Sequence, residues 1–348
     1  NGVISRSQGL TMLTTNDPIV TNNITPAPTA SNGTLILGAV NTYTGPTHVN
    51  GGTLQNGIVN AISNASDVLI ASGATYDLND FSDNIGSLAG AGNVNLGTNS
   101  STVLSMGSAN NNNSTTFSGV IAGAGGISET GTGTLTLSGA NTYAGPTAIN
   151  SGTVIASNNS ALGAGGATTV ASGATLQLNN IDLSNETVNL NGGSLTFNGA
   201  NNMIDTGSTL NIQATSLINS VNASGDALTI HVPVAVSAGQ SLNIGTPSPN
   251  TFDLTTDANA SITGGGALSN LTIKTKGNVT LGAAVSNFDR VTIDPVTTTL
   301  ADVTANIAIN ISNVVGNNTP GNTDSVTLNG VLTTTATVAT TVWTAASG

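Results

Sequence analysis

Apolar and polar residues alternate in short bursts along most of this chain. Leu135 and Leu137 alternate with Thr and Ser, Leu176 with Leu178, Val188 with Leu190 and Leu195 with Phe197, each pair separated by one polar residue. A period of two held over four or five residues predicts a short strand with one buried face. Gly and Asn fill the gaps between bursts, where they favour turns. No window sustains the 3.6-residue period of an amphipathic helix. The pattern therefore predicts an all-β chain of many short strands.

The bursts repeat. Leu35 aligns with Leu135 at an offset of 100 residues, and the register holds without a gap through Asn41-Thr42-Tyr43-Thr44-Gly45-Pro46-Thr47 over Asn141-Thr142-Tyr143-Ala144-Gly145-Pro146-Thr147. It continues through Gly52-Thr53-Leu54 over Gly152-Thr153-Val154 and Ala71-Ser72-Gly73-Ala74-Thr75 over Ala171-Ser172-Gly173-Ala174-Thr175. Shorter echoes lie outside the long copy, such as Gly92-Asn93-Val94-Asn95-Leu96-Gly97 against Gly277-Asn278-Val279-Thr280-Leu281-Gly282. Recurring short strands with glycine corners predict a right-handed parallel β-helix, a β-solenoid, in which each coil buries its apolar face only by stacking on its neighbours. At about 20–25 residues per coil, the chain would make roughly 14–17 coils, and the repeat would cover about four or five. A pair of β-sandwiches is the structural alternative, less favoured because regular hairpin turns are not evident. Three segments follow: 1–30 as an N-terminal cap, arm or linker, 31–199 as two repeats, and 200–348 as a degenerate continuation.

Within the repeat each residue has an expected local role. Leu35, Leu37, Leu135 and Leu137 point inward. Gly131 and Gly133 permit a corner with positive φ, and Gly45-Pro46 and Gly145-Pro146 force a non-helical bend. Asn41 and Asn141 either stack their amides between coils or cap the turn, while Tyr43 and Tyr143 pack at a corner.

Composition narrows the function. Charged residues make up 6% of the 348 and aromatics 3%, against roughly a quarter charged in an average soluble protein. Four basic residues, Arg6, Lys274, Lys276 and Arg290, face 16 acidic ones for a net charge of −12, which disfavours nucleic acid and anionic membranes as partners. With no cysteine there is no disulfide, thiol nucleophile or thiolate metal site. The start at Asn1, without a Met or a signal-like segment, reads as a processed piece of something longer.

The wording Gly131-Thr132-Gly133-Thr134-Leu135-Thr136-Leu137-Ser138-Gly139-Ala140-Asn141-Thr142-Tyr143-Ala144-Gly145-Pro146, preceded by Thr116-Phe117-Ser118-Gly119-Val120-Ile121-Ala122-Gly123-Ala124-Gly125-Gly126, resembles the autotransporter-associated β-strand repeat. The resemblance covers roughly residues 31–199, with Ile85-Gly86-Ser87-Leu88-Ala89-Gly90-Ala91-Gly92 as the connecting motif. It implies a β-helical passenger domain of a Gram-negative type V secreted protein, displayed at or shed from the cell surface; large rickettsial surface antigens are similar in style. Two departures stand out. The membrane β-barrel translocator of that family is absent through the final Val342-Trp343-Thr344-Ala345-Ala346-Ser347-Gly348, so the barrel has been removed or the chain reaches the surface another way. Glu129 stands where the family often carries lysine, which suggests a surface tuned acidic.

Candidate chemistry is sparse. No G-x-S-x-G, H-E-x-x-H, S-x-x-K or Walker pattern occurs, and His48 and His231 lie far apart, both expected to face solvent. Asp77, Asp80 and Asp83 form a weak candidate for calcium, lacking the EF-hand and β-roll patterns, and no cofactor is expected. The favoured function is a non-enzymatic passenger, an adhesin or stalk meeting a host or neighbouring-cell surface; the alternative is a structural subunit that self-associates end to end into a fibre, sheath or layer.

Overall fold

Nearly every backbone hydrogen bond that builds this protein runs between segments about one coil apart. The structure, a computed structural model, describes residues 10–12, 33–107, 112–222, 224–245, 251–275, 279–281, 285–293 and the short strands Ile307–Ile309, Val314–Gly316 and Ser325–Leu328. Every strand pairing among them is parallel, which excludes a pair of antiparallel sandwiches and gives a β-solenoid. Fourteen strands stack in one column from Leu10–Met12 to Ser325–Leu328, and the coils differ in width. Val68 pairs with Leu88, 20 residues on, whereas Ile244 pairs with Ile273, 29 on.

The coil has three faces. Along the chain, Thr34–Leu37 opens face one, Asn41 to Tyr43 turn across face two, and Thr47–Val49 lies on face three before Thr53–Asn56 returns to face one. Stacking is residue on residue. On face three Leu135, Val154, Leu176, Leu195, Ile218, Ile244 and Ile273 form one inward column, while a second runs through Phe117, Leu137, Ala156, Leu178 and Phe197. These side chains are all buried, and the alternating neighbours Thr134, Thr136, Thr153 and Thr175 face outward. A pleat with a two-residue period allows this only if register is kept across all coils, since a one-residue slip would expose the column. Leu37, Leu135 and Leu137 are buried, and Leu35 is half-buried against the same core. Ile36, between the two leucines, points out at 58% exposure.

The 100-residue repeat does not close a whole number of coils. From Leu35 the face-one column climbs through Leu54, Tyr76 and Val94 to Ile121, four coils. Leu137 instead stacks over Phe117, and through Gly90 and Ile70 over Val49 on face three. The second copy thus begins four and two-thirds coils after the first, about 22 Å along the axis at ~4.8 Å per strand and rotated by a third of a turn. The same sentence is written on different faces, so the three faces are geometrically interchangeable.

The glycines at the start of the repeat work differently from the expected positive-φ corner. Gly131 and Gly133 do not lie in the left-handed region. A Cβ on Gly133 would come within 2.3 Å of the Asn113 carbonyl oxygen, and one on Gly107 within 1.9 Å of the Gly131 nitrogen. Backbones of adjacent coils press together here, and glycine is required for approach rather than for dihedral freedom. Left-handed corners fall instead at Gly73, Gly97 and Gly173, and at Asn60, Asn79, Asn180 and Asn185, whose short polar side chains tolerate αL.

Of residues 1–30, the strand Leu10–Met12 pairs in parallel with Thr47–Val49 and buries Leu10, extending face three by one strand. The remaining residues expected to form a cap, arm or linker lie outside the described residues.

Candidate functional site

Asn141 occupies a break in face one. A five-stranded sheet ends at Val120–Ala122 and a six-stranded one resumes at Asp182–Leu183, so the intervening backbone must be paired by other means. The Asn141 side-chain oxygen accepts from the Ile121 N–H at 2.8 Å in the coil below, and its Nδ2 donates to the Ala161 carbonyl at 2.6 Å in the coil above. Asn41 donates likewise to the carbonyls of Ala61 at 2.7 Å and Ala39 at 2.9 Å. Each buried amide thus stands in for a strand, tying coils through their backbones, which is neither an amide-on-amide ladder nor a simple turn cap.

The tyrosine two residues on completes the arrangement. Tyr43 and Tyr143 are fully buried, with hydroxyls 2.6 Å from Thr47 Oγ1 and 2.5 Å from Thr147 Oγ1. Burial pushes the Tyr43 hydroxyl up to about 12 and that of Tyr143 further still. Both act as packing groups with a satisfied polar tip. Pro46 and Pro146 are exposed at the following bend, and Gly145 lies so close to Gly125 that a Cβ would meet its carbonyl carbon at 2.4 Å.

Four carboxyl groups are buried among the described residues, one of them Asp226, which accepts from the N–H groups of Gly199 at 2.7 Å and Asn222 at 2.8 Å. Glu129 is not on the surface, so the notion of a surface tuned acidic there is wrong; its Oε1 accepts from the Gly131 N–H at 2.8 Å. Glu186 Oε1 accepts from Thr168 Oγ1 at 2.7 Å. Desolvation raises both from the ordinary 4.5 to about 7. Asp83 is also buried and raised by desolvation, although its Oδ2 accepts from the Tyr76 hydroxyl at 2.7 Å, Asn56 Nδ2 at 2.9 Å and the Ile62 N–H at 3.0 Å. Sequence alone did not show these, because the acids sit at ends of bursts where alternation does not say which way a side chain points.

The aspartate cluster does not assemble. Asp83 faces the interior, Asp77 lies in an outward row between Gln55 Nε2 at 2.7 Å and Asn95 Nδ2 at 3.0 Å, and exposed Asp80 accepts from the backbone N–H groups of Thr98 and Asn99. The three carboxylates are divided among three tasks, and among the described residues no group of three or more His, Cys, Asp or Glu is placed to hold a metal ion. His48 sits half-exposed in an outward position between buried Thr47 and Val49. His231 is also outward, with Nδ1 3.0 Å from Asp205 Oδ1. Arg6 and Lys276 lie outside the described residues.

The outer surface is a set of side-chain rows in strand register. Asn198 Nδ2 donates to Asn179 Oδ1 at 3.1 Å and Asn222 Nδ2 to Asn198 Oδ1 at 2.6 Å, an amide ladder across three coils. Asn211 Nδ2 likewise donates to Asn189 Oδ1 at 2.9 Å. With so few charges, these rows of amides and hydroxyls are the main chemistry the rod presents.

Two outcomes follow from the interior. Asn141→Ala strands the Ile121 N–H and the Ala161 carbonyl and lowers stability by about 2–4 kcal/mol in denaturant unfolding, whereas Asn64→Ala, on an exposed turn, stays within about 0.5 kcal/mol. For Glu129 and Glu186 the folded pKa lies above the unfolded one, so their contribution is intact below about 4.5 and is lost as pH rises through about 7. Ionising either group in the fold costs on the order of 3 kcal/mol. The melting temperature is therefore higher at pH 5 than at pH 8, and the double variant Glu129→Gln, Glu186→Gln narrows that gap by raising the value at pH 8.

Comparison with known proteins agrees with this geometry. Residues 30–55 and 129–156 match the passenger-associated-transport-repeat family, the same two stretches that the 100-residue offset relates. The chain is 36% identical over 174 residues to the adhesin BmaC autotransporter of Brucella suis biovar 1 (strain 1330), a match covering 48% of this chain and 5% of that much longer protein. No solved structure matches it. The chain thus carries two stretches that match the passenger-associated-transport repeat, set a third of a turn apart on one parallel β-solenoid, and over about half its length it is similar to an autotransporter adhesin.

Proposed function

We propose that this chain is a non-enzymatic segment of a passenger displayed on the surface of a Gram-negative bacterium, where it serves as an adhesin or as the stalk of one. The observation that carries the reading is the use of a single repeat on successive faces of a rod whose outside is rows of Thr, Ser and Asn. Such a rod lengthens by adding coils, each stabilised by its neighbours, and so carries a contact surface away from the cell without a large globular core. Its similarity to a protein named as an autotransporter adhesin supports the same reading.

A second reading, end-to-end self-association into a fibre or layer, has one observation in its favour: among the described residues Thr34–Leu37 is the end strand of the five-stranded sheet, and an end strand can pair with another chain. Incubating the purified chain with intact animal and bacterial cells tests the first reading. Saturable attachment by isolated rods in electron micrographs is expected. Filaments or sheets without attachment would replace it with the second, and steady release of products from a glycan panel would contradict the non-enzymatic role.

A further inference from the structure

On the outer side of face three the first repeat carries a groove. Its floor is a row in strand register, His48 beside Leu69 beside Ala89. The next strand, Thr115–Phe117, meets this sheet only through Phe117 opposite Gly90, so the chain before it swings off the row instead of covering it. Asn113 Nδ2 holds residues 112–114 to the sheet by donating to Asp67 Oδ2 at 2.9 Å, 46 residues away in sequence, while Ser87 Oγ donates to Asp67 Oδ1 at 2.7 Å. Sheet and lip enclose about 260 Å³, with Pro46 at one end and Ser114 and Thr115 on the lip.

The repeat provides an internal control. At the same offset of 100 residues, three inward residues stay apolar, Val49 becoming Ile149, Ile70 Val170 and Leu88 Val188, while inward Val68 becomes Thr168. Four of the groove residues change class, while Pro46 remains Pro146 and Ser87 becomes Thr187. His48 becomes Ala148, Asp67 becomes Ala167, Leu69 becomes Thr169 and Ala89 becomes Asn189, although the strand register is the same, Val68 opposite Leu88 and Thr168 opposite Val188. The solenoid therefore does not require these four residues. Further along this face the outward row reads Thr136, Ile155, Gln177, Thr196 and Asn219, mostly polar, whereas the groove floor is apolar and leaves Leu69 39% exposed.

We infer that this groove is a binding site for a single uncharged sugar unit at the end of a cell-surface glycan. A pyranose has an apolar C–H face and a rim of hydroxyls; the groove has Leu69, Ala89 and Pro46 beneath and His48, Ser114, Thr115 and the Asp67 pair around it. Its volume lies just under the ~300–1,000 Å³ of drug-sized pockets, the scale of one sugar rather than a chain. Among the described residues no Lys or Arg lines it, and Asp67 sits at its edge, so the charge there disfavours sialylated, sulfated and phosphorylated glycans. The inference rests on the adhesin reading and makes it specific to the first repeat.

Titrating the full chain with methyl glycosides of neutral hexoses and N-acetylhexosamines, followed by saturation-transfer NMR, tests it. The variant His48→Ala, Leu69→Thr, Ala89→Asn imports residues that the second repeat already carries on the same backbone, so it folds, as circular dichroism will show. At least one neutral glycoside is expected to bind saturably to the wild type and at least tenfold more weakly to the variant, while Ala148→Trp on the second repeat changes nothing. Absence of binding by every neutral glycoside, equal binding by the variant, or retention only of anionic glycans or of basic peptides in a salt-sensitive way would overturn the inference. Cell attachment that survives the triple variant would remove the groove and leave the adhesin reading in place; loss of neither sugar binding nor attachment in the variant would do the same.

Discussion

Coil-on-coil pairing of the backbone is the constraint from which the rest of this structure follows. With few charges and few aromatics, the chain cannot draw on ion-pair networks or large stacked rings, and a single coil encloses too little apolar surface to stand alone. Each N–H and C=O must therefore find a partner one coil up or down. Where strands run, the parallel ladder does this. Where they stop, side chains replace it, as Asn141 does between Ile121 and Ala161, and as Asp80 does for the N–H groups of Thr98 and Asn99. The abundance of Asn and Thr is thus a way of completing the ladder at corners.

That constraint governs close packing as well. Adjacent coils lie about a strand spacing apart, so glycine is needed wherever two backbones meet without a side chain between them, as at Gly133 against Asn113 and Gly145 against Gly125. It leaves outward positions largely free. His48 and Ala148 occupy the same place in the repeat with no change in register, which is what allows one architecture to carry different surfaces on different coils. Because the repeat advances by four and two-thirds coils, equivalent surfaces of the two copies also point in different directions.

Much of this was legible in the sequence. The alternation around Leu135 and Leu137 and the 100-residue register pointed to a parallel solenoid, since both report a backbone period directly. What could not be read was anything set by the number of residues at a corner. Corner lengths drift from coil to coil, and the rotation of the second copy follows from that drift. Gly131 and Gly133 were assigned positive φ when the neighbouring coil, invisible locally, was the reason for them. Asp77, Asp80 and Asp83 read as a cluster because they are adjacent in sequence, yet a corner with Asn79 and Asp80 both in the left-handed region sends them to three different places. Glu129 read as a surface charge for a related reason: four successive residues, Gly126–Glu129, are all buried, which breaks the alternation that the inference relied on.

The central claim is that corners and breaks are paired as completely as strands. Residue-resolved amide hydrogen exchange tests it most directly. The account predicts that the Ile121 and Thr142 amides, held by Asn141 Oδ1 and by the Ile121 carbonyl, exchange as slowly as those of Leu135 and Val154 in the continuous ladder. Exchange at Ile121 and Thr142 as fast as at an exposed turn such as Asn64, with the ladder amides still protected, would contradict it.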